Sequence, residues 1–132
     1  MNLSEKEAQN ILNSLNFKKG LVTSVTRDYN DKEILMVAFM NEEAVMKTLT
    51  TGVMHYWSRT RQEIWKKGQE SGNKQRVKDI RIDCDSDALL FDVEPEGPAC
   101  HKGYRSCFYR KVKDGNFSQI MEKKFDPDEV YE

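Results

Sequence analysis

A succession of short segments rich in β-branched and aromatic residues, each bounded by turn-forming residues, points to a sheet-based architecture. Residues 21–27 and 33–40 are two such segments, and the polar stretch 28–32 between them predicts a hairpin turn. Further segments of this kind cover residues 53–59, 77–83, 88–93 and 107–112. Because the connections between segments are short, we expect mostly antiparallel strand pairing.

Two helices complete the pattern. Ser4 and Glu7 form a capping box ahead of apolar residues at helical spacing over residues 8–15. Asn41 is placed to cap a second helix, and Gly52 is placed just past its end. Since strands outnumber helices, we predict an α+β fold, a compact single domain over residues 1–132 of mostly antiparallel strands with a few short helices.

Composition excludes several classes of protein. Apolar residues make up 38% and charged residues 33%, which indicates a globular domain with a polar surface and not a disordered chain. The longest apolar run, residues 34–40, is too short to cross a membrane. Residues 1–7 lack a signal pattern, so we expect a cytoplasmic protein. The net charge of −1 argues against a nucleic-acid partner, because nucleic-acid binders are normally basic as a whole.

The charge is unevenly distributed along the chain. Residues 59–81 contain eight Lys or Arg against three Asp or Glu, and residues 83–96 contain six acids and no base. A basic segment beside an acidic one suits a phosphorylated ligand together with hard cations. From charge alone, two solvated faces that neutralise each other are the favoured explanation.

The three cysteines, Cys84, Cys100 and Cys107, raise the question of a metal site. Their odd number, without a secretion signal, argues against a disulfide framework. Cys100 and Cys107 lie on a glycine-bearing loop that can close on one ion, although this is not a pair of Cys-x-x-Cys knuckles. With three thiols, the fourth ligand would be His101 or water, and an open position is typical of catalytic zinc. The alternative is three unrelated buried cysteines.

Three acidic residues, Asp83, Asp85 and Asp87, flank Cys84. In an extended chain the carboxylates project on one side, roughly 6.6 Å apart per pair of residues, and Cys84 on the other. Clustered carboxylates repel each other unless a cation compensates them, and their oxygens suit Mg²⁺ or Ca²⁺. The alternative is an acidic turn around a small buried cysteine.

Aromatic and basic residues alternate in HYWSRTR at 55–61 and IWKKG at 64–68. An indole can stack on a purine, while Arg or Lys can hold a phosphate. The alternative is an ordinary strand with Trp57 in the core and Tyr56 at the surface.

Several motifs occur in a fixed order: HYWSR at 55–59, WKKG at 65–68 with SG at 71–72, DCDSDAL at 83–89, and GPACH at 97–101 with SCF at 106–108. With these motifs in this order, the sequence closely resembles the phosphoribosyl-AMP cyclohydrolase family over residues 21–110. ILMVAFMN at 34–41 resembles the family's first long strand and helix cap. Asn73 and Trp57 depart mildly from residues frequent in the family.

The resemblance implies a homodimer with a zinc site at the subunit interface. Cys84 would come from one chain, and Cys100 with Cys107 from the other. It also implies magnesium ligands, which are Asp83, Asp85 and Asp87.

The implied reaction is the zinc-dependent hydrolysis of the N1–C6 bond in the adenine ring of 1-(5-phosphoribosyl)-AMP. The product is the formimino imidazole carboxamide ribotide of histidine biosynthesis. Zinc would supply hydroxide near neutral pH, and we expect His101 to move protons onto the departing N1. The predicted substrate contacts are Trp57, Arg59, Arg61, Trp65, Lys66, Lys67, Ser71 and Arg76.

Two functions other than the cyclohydrolase reaction are alternatives for this sequence. A zinc-stapled RNA-binding module could use Trp57, Trp65 and the basic segment. A purine deaminase would carry His-x-Glu and Pro-Cys-x-x-Cys patterns, which this sequence lacks.

Overall fold

Both helices begin at the caps that the sequence predicts. The structure, a computed structural model, describes residues 1–69 and 72–124. Helix α1 spans Glu5–Ser14, with the capping box between Ser4 and Glu7 formed in both directions. Helix α2 spans Glu42–Thr51, and the Asn41 side chain accepts a hydrogen bond of 2.9 Å from the Ala44 N–H.

Gly52 ends α2 in a left-handed conformation with φ of 75°. A Cβ at this position would come within 2.6 Å of the Met1 carbonyl oxygen, so only glycine fits the crowded turn. Within the described residues, no helix is both long enough and apolar enough to cross a membrane.

The described strands form a six-stranded sheet and a separate two-stranded ribbon. Their bounds are β1 Val22–Asp28, β2 Ile34–Met40, β3 His55–Ser58, β4 Glu63–Lys66, β5 Gln75–Ile82, β6 Ala88–Pro95, β7 Arg110–Lys113 and β8 Asn116–Gln119. The sheet order is β4-β3-β2-β1-β6-β5, and β7 pairs with β8. The α+β prediction is confirmed, and so is the hairpin between β1 and β2.

The sheet departs from the expected pattern at a few points. β1 and β6 pair in parallel, with Val25 opposite Leu90, whereas the other pairs are antiparallel. The short strands β4 and β8 were not predicted. The strand expected from residue 107 begins only at Arg110, because the Cys107 N–H bonds to the Leu35 carbonyl and the Phe108 N–H bonds to the Ser106 hydroxyl.

The core lies between the helices and one face of the sheet. Along β1, alternate residues are buried. Val22 of this strand belongs to the hydrophobic cluster that also contains Ala8, Met40 and Leu49. Tyr56 is fully buried and Trp57 is half-buried, so the alternative that placed Trp57 in the core and Tyr56 at the surface is wrong.

Buried polar groups hold Tyr56 in place. Its hydroxyl donates a hydrogen bond of 2.7 Å to Gln75 Oε1 and lies 2.8 Å from Thr26 Oγ1. Because a phenol has one proton, the Thr26 hydroxyl must be the donor in the second bond. Burial, the largest cause, raises the pKa of Tyr56 far above its ordinary value, so the hydroxyl stays protonated. This network ties β1, β3 and β5 together across the core.

Candidate functional site

A cleft of about 530 Å³ opens beside β2, β3 and β4. It brings together residues that the sequence predicted from three separate motifs: Trp57, Arg59, Arg61, Trp65 and His101. Phe39 and Tyr56 also line it, although neither was among the predicted substrate contacts. A volume of this size is typical of sites for small ligands such as a nucleotide.

A second cavity of about 480 Å³ adjoins the first, because Trp57 and Arg59 line both. Its other lining residues include Lys19 and Gln62. Lys19 lies outside every motif and was missed for that reason. The two cavities are neighbours, and basic side chains line both of them.

The β3–β4 turn and the neighbouring strand position the arginines of the cleft. The Arg59 guanidinium lies over the Phe39 ring, with 4.1 Å from Cζ to the ring centroid. The Arg61 backbone N–H donates to the Ser58 hydroxyl at 3.2 Å, and its guanidinium lies 3.4 Å from a Glu63 oxygen. Both arginines are exposed, so their charges remain available to an anionic ligand.

His101 reaches the cleft from a loop, residues 97–107, that we call the thiol loop. The loop folds back on itself, because the Cys100 N–H donates to the Tyr104 carbonyl at 3.1 Å. The Ser106 hydroxyl anchors it by donating to the Ile34 carbonyl at 2.6 Å. His101 is exposed and lines the same cleft as both indole rings. The loop therefore presents an imidazole where a bound aromatic ring would lie.

The thiol loop also brings two predicted zinc ligands together. The Cys100 thiol lies close enough to affect the ionisation of the Cys107 thiol, and Cys100 is buried. Tetrahedral zinc binds thiolates with Zn–S bonds of about 2.3 Å, and two cysteines on one short loop can supply two of its ligands. Cys107 as a whole residue is exposed, but protein atoms surround its thiol and desolvate the thiolate. Together with the Cys100 thiol, this desolvation raises the pKa of Cys107 to about 12.

Cys84 lies away from this pair within one chain. It occupies the β5–β6 turn and is exposed. Among the described residues, the one group of three or more candidate ligand atoms within 4.8 Å of one another is formed by Asp83, Asp85 and Asp87. The three thiols therefore do not meet in a single subunit.

The acidic segment is a tight turn and not the extended strand we expected. The Asp83 side chain accepts hydrogen bonds from the N–H groups of Asp87 and Ala88, both at 3.1 Å, and Ser86 has φ of 62°. These side chain–backbone bonds compete with an extended conformation, as is usual for aspartate in turns. The turn draws the carboxylate oxygens to within 4.8 Å, closer than an extended chain allows.

The carboxylates of the turn have unequal pKa values. Hydrogen bonding to Asp87, and then to Asp83, raises the pKa of Asp85. The Lys18 ammonium, 2.9 Å from an Asp87 oxygen, is the main cause that lowers the pKa of Asp87. Oxygen ligands at this spacing fit a hard cation such as Mg²⁺.

Other predicted substrate contacts lie elsewhere. Lys66 is half-buried on β4, opposite His55, and Arg76 on β5 pairs with Glu96 at 2.8 Å. Lys67 is buried, with 1% of its surface exposed, and its ammonium donates to the Ala99 carbonyl. Ser71 lies outside the described residues. Phosphate binding by these side chains stays a prediction.

The chain is similar to one family model and to several known proteins that share its description. The family model of phosphoribosyl-AMP cyclohydrolase matches residues 36–109. The phosphoribosyl-AMP cyclohydrolase of Methanosarcina barkeri is 53% identical over 118 residues, which cover 89% of each chain. That of Methanothermobacter thermautotrophicus is 49% identical over 137 aligned positions, covering 98% of this chain and 97% of the relative. That of Salinibacter ruber is 51% identical, covering 86% and 89%.

An α+β domain with a nucleotide-sized cleft beside a thiol pair, matched by these relatives, defines an enzyme of the hydrolase class. The chain belongs to the phosphoribosyl-AMP cyclohydrolase family. This membership favours the enzyme over the RNA-binding alternative.

Proposed function

We propose that this chain hydrolyses the N1–C6 bond in the adenine ring of 1-(5-phosphoribosyl)-AMP, depends on zinc, and releases the formimino imidazole carboxamide ribotide. One observation carries the proposal: a single cleft joins His101, two indoles and two arginines on elements that also hold a thiol pair. Each group matches a part of that substrate, which has an adenine ring between two phosphate-bearing arms.

The cleft residues bind and orient the substrate. Trp57 and Trp65 offer aromatic faces on which the adenine ring can stack, a contact worth about 1–3 kcal/mol per base. Arg59 and Arg61 neutralise one phosphate, and Lys19 in the adjoining cavity neutralises the other. Basic side chains in both neighbouring cavities suit a ligand that carries two anionic groups.

His101 moves the proton that the reaction requires. Hydrolysis adds the oxygen of one water molecule to C6, breaks the C6–N1 bond, and leaves the electron pair of that bond on N1. His101 delivers a proton to N1 as the bond breaks, which makes N1 a neutral leaving group. Its exposure in the cleft lets it regain a proton from solvent after each turnover.

The thiols fit zinc, and the aspartate turn fits magnesium. Cys84, Cys100 and Cys107 would hold a zinc ion with one position left open. Bound zinc supplies Lewis acidity and lowers the pKa of water to about 7, which is the chemistry that hydrolysis at neutral pH requires. Asp83, Asp85 and Asp87 would hold Mg²⁺ near a substrate phosphate. Because free thiols must stay reduced to bind zinc, we place the enzyme in the cytoplasm.

A homodimer would complete the zinc site. The Asp87 carbonyl accepts a hydrogen bond from the Thr23 N–H, near the start of β1. The Cys107 N–H donates to the Leu35 carbonyl on β2, and the residues on either side of Leu35 pair with residues near the end of β1. At 3.3 Å per residue these points are about 10 Å apart along the strand. Cys84 of one chain can therefore complete the set only if it meets the thiol loop of another chain.

An uncovered apolar surface supports the same assembly. Val25 lies opposite Val37 on one side and Leu90 on the other, on the sheet face away from the core. Val37 is 46% exposed. The β7–β8 ribbon also exposes its cross-strand pair, Val112 and Phe117, and an isolated ribbon is marginally stable in water. A second copy of the chain would cover both surfaces.

The test is a direct assay with matched controls. Purified protein is incubated with phosphoribosyl-AMP, and the ultraviolet absorbance is followed as the purine ring opens. We expect turnover by the wild type and none by Cys107→Ala, while Lys78→Met, altered on β5 outside the cleft, turns over normally. AMP, which lacks the N1 substituent, should not react. Absence of turnover by zinc-loaded wild type, or tight binding of single-stranded RNA instead, would overturn the proposal.

A further inference from the structure

Lys67 is a buried cation beside the thiol loop. It directly follows β4, and only 1% of its surface is exposed. Its ammonium donates a hydrogen bond of 2.5 Å to the carbonyl oxygen of Ala99, the residue before Cys100. The ammonium also lies 5.2 Å from the centroid of the Trp65 ring. One lysine thus contacts both the thiol loop and an indole of the cleft.

No carboxylate compensates this charge in the part of the chain that the structure describes, where ion pairs involve other lysines. A buried ammonium without a counter-charge is strongly unfavourable. Burial is the largest influence on Lys67 and lowers its pKa, while the Cys107 and Cys100 thiols act in the opposite direction. Within the described residues, the acidic groups close enough to influence the Lys67 ammonium are the Cys107 and Cys100 thiols.

We propose that Lys67 is a positioning residue for the metal-binding loop, which it holds at Ala99 while placing a positive charge beside the two thiols. The inference rests on the zinc site of the proposed function. Three thiolates around one Zn²⁺ carry a net charge of −1, and a lysine ammonium brings the group to neutrality. Such a partner beyond the direct ligands stabilises bound metal and orients its ligands.

Two substitutions separate charge from fold. Lys67→Met removes both the charge and the hydrogen bond to Ala99, whereas Lys67→Gln removes the charge and keeps an N–H donor. Lys78→Met removes a lysine charge on β5 and serves as the matched control. Zinc affinity is measured by competition with a chromophoric chelator. Co²⁺ replaces zinc for absorption spectra, and circular dichroism of the metal-free proteins reports the fold.

We expect both Lys67 variants to bind zinc roughly 10- to 100-fold more weakly, and Lys78→Met to bind as the wild type does. The thiolate-to-cobalt absorption band should move to longer wavelength in both Lys67 variants, because electrons on the thiolates are less stabilised without the cation. A purely structural role would not move this band in a folded variant. If Lys67→Met fails to fold, the zinc affinity and the cobalt band of Lys67→Gln test the role of Lys67.

The outcomes separate this inference from the proposed function. Wild-type protein that shows no thiolate-to-cobalt band would overturn the zinc site itself. Wild-type protein that shows the band, together with a folded Lys67→Gln variant of unchanged zinc affinity and unchanged band, would overturn the role of Lys67 alone.

Discussion

The backbone N–H of Cys107 donates a hydrogen bond of 2.7 Å to the carbonyl oxygen of Leu35. This bond fixes the second cysteine of the thiol loop to the beginning of β2, close to the buried Tyr56. Cys84 lies in the β5–β6 turn, at the opposite end of β1. The three thiols of one chain are thus divided between opposite ends of β1.

Zinc removal is expected to abolish ring opening, and added zinc to restore it. Metal-free Cys107 has a pKa raised to about 12, so its thiol is protonated at neutral pH and must lose a proton when metal binds. Zinc affinity should therefore increase as pH rises and weaken in acid. Calorimetric titration in buffers of different ionisation enthalpy measures the released protons. Full activity in exhaustively zinc-free protein would contradict the proposal.

Replacement of His101 with Ala is expected to lower kcat by roughly 10²- to 10⁴-fold, the usual contribution of a general acid or base. Zinc content should stay near the wild-type value, because the proposed function assigns proton transfer to His101 and zinc binding to the three thiols. Lys102→Ala changes the next exposed residue of the thiol loop and is the matched control. Loss of zinc from His101→Ala would show that the imidazole completes the coordination shell instead.

Local sequence signals predicted much of this fold. The capping residues Ser4 and Asn41 and the terminating Gly52 act within a few residues, so they identify both helices directly. The parallel pairing of β1 with β6 joins segments about sixty residues apart, and no local signal encodes it. The four-residue strands β4 and β8 are too short for alternation to distinguish them from loops.

The candidate site was predictable in its chemistry and less so in its geometry. The motifs predicted the indoles, His101 and the thiols as site residues, and the two indoles and His101 line one cleft. The shape of the acidic turn depends on hydrogen bonds to the Asp83 side chain, and alternation along a strand could not reveal them. The burial of Lys67 depends on how the thiol loop packs against β4, which the sequence of either segment alone does not specify.

Asp92→Asn is expected to destabilise the fold by about 3 kcal/mol, because it breaks a largely buried ion pair with Arg27. The Arg27 guanidinium is the main cause that lowers the pKa of Asp92. Stability from this pair is therefore present above the unfolded-state pKa and is lost as pH falls through the lower folded-state value, below about 3.9. Urea unfolding between pH 2 and 7 measures both effects. Glu94→Gln, exposed on the same strand, should change stability little, and equal losses in the two variants would contradict the prediction.

Tyr56→Phe is expected to cost about 1–3 kcal/mol of stability, because it leaves two buried partners, Thr26 Oγ1 and Gln75 Oε1, without the phenol hydroxyl. Thermal and urea unfolding measure the loss. Tyr29→Phe removes a hydroxyl from a tyrosine that is 45% exposed and should be nearly neutral. An unchanged unfolding free energy in Tyr56→Phe would show that the network does not contribute to stability.

The division of thiols between two ends of the sheet predicts complementation between inactive variants. Cys84→Ala and Cys107→Ala chains should each form inactive homodimers. Mixed under subunit exchange, they form heterodimers in which one zinc site has both defects and the other has none. The intact site takes Cys84 from the Cys107→Ala chain, and the thiol loop from the Cys84→Ala chain.

The size of the recovery follows from the symmetry of the dimer. Random reassortment makes half of the dimers mixed, each with one intact site of two, so about a quarter of wild-type activity should return if the sites act independently. Mixing Cys100→Ala with Cys107→Ala is the matched control, because both defects lie in the same thiol loop and every site keeps one of them. Native mass spectrometry establishes that heterodimers have formed. With heterodimers present, recovery in the first mixture but not in the control supports a shared site. No recovery in either mixture would show that all three thiols bind zinc within one subunit.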